Sequence, residues 1–170
     1  ILTSYFPKLL VSKSRDEHRY EIELQKLNDF LFITALSIAS SISFISDWLV
    51  VSLFGKAYAQ ASIILSIHVW AGVFIFMRTL LSKWLIAENL LRFSLLTQAT
   101  GAILNLVLNL ILIPSYGGVG AAVATVISYA MSSYFALFLS RSTWGMATII
   151  TRSLLLPVRF LRAGSQLYKT

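Results

Sequence analysis

From Phe93 to Ser140 the chain runs 48 residues without an Asp, Glu, Lys or Arg, bounded by Arg92 and Arg141. A hydrocarbon core of roughly 30 Å takes ~20 helical residues per crossing, so this run holds two crossings and a turn. The turn is written at its middle, in Ile113-Pro114-Ser115-Tyr116-Gly117-Gly118. Proline lacks a backbone donor and disfavours helix at the residue before it, and paired glycines allow left-handed geometry, so the chain reverses there. The run is expected to be a transmembrane helical hairpin over about 93–113 and 117–140.

Composition carries the membrane assignment to the rest of the chain. Charged residues make up 12% and hydrophobic ones 57%, whereas soluble domains have ~25% charged residues. The net charge of +7 comes from fourteen basic residues that sit almost wholly beside apolar runs. That placement fits membrane flanks rather than a nucleic-acid surface. Without cysteine there are no disulfides, thiolate metal sites or cysteine nucleophiles. His18 and His68 lie fifty residues apart with no metal-ligand spacing, and nothing calls for a cofactor.

In chain order, 1–12 is apolar but too short to span and is interrupted by Pro7. It fits either the tail of an upstream helix or a cut end, and the chain is expected to be the C-terminal part of a longer membrane protein. Residues 13–27 mix charges with Tyr20, Leu24 and Leu27 and are expected to form a solvated connector, the alternative being an amphipathic helix that lies on the membrane surface or continues into the next span. The first full span is placed at about 28–54, capped by Asn28 or Asp29. Thr34, Ser37, Ser40 and Ser41 give it a small polar stripe of the kind that packs against another helix.

Lys56 sits in a short turn, and the second span follows at about 57–82. His68 lies near its middle, sharing a face with Ala71, Gly72, Thr79 and Ser82, and Arg78 lies about a turn before Lys83 and Trp84. His68 is a candidate for a polar path or for hydrogen bonding across a helix interface, and Arg78 either snorkels or enters a cavity. Asp47, near the end of the first span beside Trp48, is the coupling candidate.

A tight loop, 83–92, leads to the hairpin. On its first half Ser94, Gln98, Gly101, Ala102, Asn105 and Asn109 fall on one face, with Leu96, Ile103, Val107, Leu110 and Ile111 opposite. Amides are costly against lipid, so the first face looks toward protein or water. On the second half Gly117, Gly120, Ala121, Thr125 and Ser128 are candidates for close helix packing, continued by Ser132 and Ala136. After Arg141 the tail, 142–170, alternates basic and apolar residues and is expected to lie on the membrane, broken at Pro157. The domain division is therefore 1–27, 28–141 and 142–170. Basic residues put the connector, the Lys83 loop and the C-terminus in the cytoplasm, with Lys56 alone opposite.

Across four expected spans one ordered pattern stands out: Leu53-Phe54-Gly55, Tyr58, Ala61, Trp70-Ala71, Gly101, Asn105, Leu108-Asn109, Ile113-Pro114, Tyr116-Gly117, then Gly120-Ala121-Ala122-Val123-Ala124-Thr125. In order and spacing over 53–133 it resembles the polysaccharide flippases of the multidrug/oligosaccharidyl-lipid/polysaccharide exporter superfamily, O-antigen flippases among them. The resemblance implies about a dozen or more helices in two lobes, moving lipid-linked oligosaccharide across the bacterial inner membrane by alternating access. This chain would hold four helices of the second lobe, with the remaining helices and membrane lipids as partners, and it would not be an enzyme. The implied cargo is anionic and polar, so Arg78, His68, Gln98, Asn105 and Asn109 become substrate-path candidates. A drug or metabolite cation antiporter of the same superfamily, a membrane glycan polymerase or ligase, and a structural membrane subunit are the alternatives.

Overall fold

The computed structural model describes residues 16–157 and 159, and all its regular elements over those residues are helical. The expected upstream helix at 1–12, the first residues of the connector and most of the tail beyond 157 lie outside the described residues.

Helix α1 (Glu17–Phe54) is one unbroken rod. At 38 residues it is ~57 Å long, well over a ~30 Å hydrocarbon core. Its cap is Asp16, whose carboxylate accepts from the Arg19 N–H at 3.1 Å, with Glu17 facing the positive end of the helix dipole. The start expected at Asn28 or Asp29 is thus corrected, and the connector from Glu17 onward is the first turns of the same helix. Asn28 is fully buried and bonds the Ser153 hydroxyl at 2.8 Å. Gly55, at φ 88°, ends the rod.

A short 3-10 turn (Lys56–Tyr58) leads to α2 (Ala61–His68) and then α3 (Ala71–Ala87). Between the last two, Trp70 N–H bonds Ile67 O at 3.1 Å and Gly72 N–H bonds Val69 O at 2.9 Å. This 3-10 step turns the register without interrupting the segment Ala61–Ala87, which is long and apolar enough to cross a membrane. The loop expected over 83–92 is shorter than its sequence suggests. Helix α3 continues to Ala87, and Asn89 at φ 57° lets Leu90 N–H reach Leu85 O at 2.8 Å.

Two helical limbs follow within α4 (Leu91–Ser133), separated by Gly117, which at φ 55° and ψ −135° is not helical. The chain doubles back there. A Cβ added at Gly101 would lie 2.7 Å from Ser132 Cβ, and one at Gly120 would lie 2.5 Å from Leu112 O. Residues so far apart in sequence meet only if limbs 91–116 and 118–133 lie side by side in opposite directions. The second limb ends at Ser133 rather than 140, followed by 3-10 turns at Phe135–Leu139 and Arg141–Thr143.

Helix α5 (Trp144–Leu154) corrects the surface-tail expectation over its length, because its apolar side packs inward. Met146, Ala147 and Ile150 join Tyr20, Leu24 and Leu31 of α1 and Leu80, Leu81 and Leu85 of α3 in the main core. Pro157 lies beyond the end of α5 and cannot extend its ladder. A polar clamp fastens the contact: Gln25 Nε2 reaches Ile149 O at 3.2 Å and Ser153 Oγ at 3.0 Å, and Ser153 donates to Asp29. Ser153→Ala would leave the buried Asn28 amide without its partner. It should lower stability by ~1–3 kcal/mol, visible as a lower unfolding midpoint in detergent; an unchanged midpoint would mean apolar contact alone holds α5.

The core sits at one end, where the start of α1, the end of α3 and α5 meet. At the other end the start of α2 approaches the Gly117 turn, with Ile64 against Gly118. Elsewhere large apolar side chains face outward: Phe44 is 92% exposed and Leu110 70%. Of the expected α1 stripe, Ser37, Ser40 and Ser41 also face outward, and Thr34 is half-buried. Three segments, Glu17–Phe54, Ala61–Ala87 and Leu91–Leu139, are long and apolar enough to cross a membrane.

Candidate functional site: a guanidinium in an acid-free cavity

Arg78 projects from α3 beside the fully buried Met77, toward the two limbs of α4. Its Nη1 donates to Ser132 O at 2.7 Å, and Nη2 to Ser94 O at 3.2 Å and Thr97 Oγ1 at 3.1 Å. The guanidinium thereby joins both limbs to α3. The close approach depends on Gly101, which lets the limbs meet at Ser132. Small residues on the second limb complete the contact: Gly120, Ala124, Ser128 and Ser132 recur every four residues and are all buried.

Beside this junction lies a cavity of about 390 Å³. Arg78, Gln98 and Asn105 line it, together with Thr125, Ser128, Tyr129 and Ser132. No carboxylate lines it, and among the described residues none lies within ion-pair distance of Arg78. All three acceptors of Arg78 are neutral, and they engage three of the five guanidinium N–H groups. The cavity therefore carries an uncompensated positive charge and a set of neutral hydrogen-bonding groups. Such a site favours an anionic or strongly polar occupant over a cation.

The amide face continues beyond the cavity, where Asn109 Nδ2 donates to Asn105 Oδ1 at 3.0 Å. Gln98 Nε2 makes only long contacts, 3.4 Å, to Ser94. Opposite this face Leu96, Ile103, Val107, Leu110 and Ile111 are exposed, as the helical projection requires.

Arg78, Gln98 and Asn105 thus come together, with Asn109 joined to them. His68 and Asp47 do not. His68 is exposed at the end of α2, as is Thr79 in α3, with Gly72 and Ser82 half-buried, whereas Ala71 of the expected shared face is buried. Asp47 is exposed beside Trp48, away from the cavity. Of the packing candidates, Gly117 forms the turn itself, Gly120 and Ser128 lie on the buried ridge, Ala121 is half-buried, and Thr125 faces the cavity. Of the partners of Arg78, Thr97 is absent from the expected residues, and Ser94 and Ser132 are expected only on the amide face and the packing ridge. Two of them act through main-chain carbonyls, which residue type does not encode. No family model, curated protein or solved structure matches this chain.

Proposed function

We propose that the chain is part of a membrane transporter that moves an anionic, polar headgroup across the bilayer, the cargo being a lipid-linked oligosaccharide destined for surface polysaccharide. One observation carries this: an arginine with only neutral partners opens onto an acid-free cavity lined by amide, serine, threonine and tyrosine residues, amid helices with apolar outer faces. A pyrophosphate-linked sugar needs positive potential and many hydrogen bonds, while its lipid tail stays in the bilayer. The resemblance over 53–133 points the same way and supplies the bacterial inner membrane and the alternating-access scheme.

The two limbs of α4 count as separate crossings in this scheme, which gives four. Lys26, Lys83, Arg92 and Arg152 then mark the cytoplasmic end and Lys56 the outer one. These four helices line one side of a pathway that the remaining helices of the transporter complete.

Cation antiport is the less favoured scheme because a cation site in a membrane calls for carboxylates, and Asp47 lies outside the cavity. Asp47→Asn should leave export unchanged within twofold. Depleting the full protein from its host should abolish surface polysaccharide and raise cytoplasm-facing lipid-linked oligosaccharide, with cationic dye efflux unaltered. Lost dye efflux with normal polysaccharide would favour antiport instead.

A further inference from the structure

Away from the Arg78 cavity, a groove of about 470 Å³ runs between the first turns of α1 and α5, and its charges are not balanced. Lys26, Arg152, Arg159 and His18 line it with only two acids, Glu21 and Asp29. Asp29 is already engaged: it accepts from Gln25 at 2.8 Å and from Ser153, and its second oxygen lies 4.0 Å from Arg159. Lys26 and Arg152 are exposed and have no ion-pair partner among the described residues. An anion entering the groove would meet two free cations and a single free carboxylate.

The surface below the groove indicates which anion. Lys26, Phe30 and Ile33 follow one another at i, i+4 and i+7, on one face of α1. Phe30 is 53% exposed and Ile33 45%, so the charged end of this face passes directly into an apolar strip leading toward the middle of the rod. A phosphate with two acyl chains has that order of charge and oil, whereas a soluble phosphate has no use for the strip. We propose that this groove is a binding site for an anionic phospholipid, its phosphate held between Lys26 and Arg152 and its acyl chains lying along Phe30 and Ile33. The proposal rests on the membrane character of the helices and not on the cargo of the Arg78 cavity. A lipid held there would brace the junction of α1 and α5.

The test uses the full chain, purified in detergent and stripped of lipid, then offered phosphatidylglycerol, phosphatidylcholine or inorganic phosphate at equal phosphate concentration. Native mass spectrometry reads bound lipid, and the unfolding midpoint reads its effect on the fold. Phosphatidylglycerol alone should be retained and should raise the midpoint. Lys26→Gln with Arg152→Gln should weaken retention by about 30-fold, from roughly fivefold for each basic residue at an anionic surface. Both residues are exposed, so the midpoint of the lipid-free variant should match that of the parent, and Lys26→Arg with Arg152→Lys should restore retention. Equal retention of phosphatidylcholine, or equal retention by the neutralised variant, would overturn the proposal. A midpoint raised equally by inorganic phosphate would overturn it in favour of a soluble anion.

Discussion

Arg78→Ala is expected to reduce export of the polar cargo by about tenfold or more. A hydrogen bond from a charged group contributes ~1.5–3 kcal/mol, and 1.4 kcal/mol is a factor of about ten. The same substitution removes three bonds that join α3 to the limbs of α4, so some loss of folded protein is also expected. Arg78→Lys separates the two effects. It keeps the charge but lacks the planar fork that reaches Ser132 O and Ser94 O together. If the charge serves the cargo, export per folded molecule should recover substantially in the lysine variant while its unfolding midpoint stays low. If Arg78 is only a brace, export in both variants should follow the amount of folded protein and nothing else.

The second large effect is expected at Gly120. In an open helical position Gly→Ala gains up to ~1 kcal/mol from helix propensity. Here the added Cβ would lie 2.5 Å from Leu112 O and 2.7 Å from Leu112 C, and backbone atoms cannot rotate away as a side chain does. Forcing the limbs apart should turn the gain into a net loss of ~1–3 kcal/mol. Because the limbs also position Ser132 O, Arg78 would lose its shortest bond, and stability and export should fall together. Gly145, in α5, meets nothing within 4 Å, so Gly145→Ala should be neutral or stabilising. Equal effects at the two positions, read as unfolding midpoints in detergent, would mean that the limbs do not touch.

Local chemistry was readable where it acts locally. Pro114 with Gly117-Gly118 marked the reversal, and the amide face of 94–109 pointed to a polar surroundings because lipid tolerates no other arrangement. The errors lie where a partner distant in sequence decides. Tyr20, Leu24 and Leu27 are spaced for either a membrane surface or a helix interface, and what chose the interface is α5, more than a hundred residues away. Helix α5 poses the same ambiguity from its own side: Met146, Ala147 and Ile150 with a basic Arg152 suit lipid as well as protein. His68 is exposed at the end of α2 and lies outside the lining of the Arg78 cavity. Of the expected packing residues, Gly120, Ser128 and Ser132 lie on the buried ridge together with Ala124, whereas Gly117 is taken out of the helix by the turn.

In the function proposed above, the face bearing Gln98 and Asn105 borders a polar path, while the opposite face of the same limb meets lipid. These 170 residues contain no cysteine, so single cysteines placed in them report without background from this part of the protein. Asn105→Cys and Leu110→Cys, introduced into the protein in its native membranes, should respond differently to a water-soluble, charged maleimide. Labelling at position 105, slowed by the polar cargo, with none at position 110, is the predicted result. Labelling at 110 and not at 105, or the same rate at both, would contradict it.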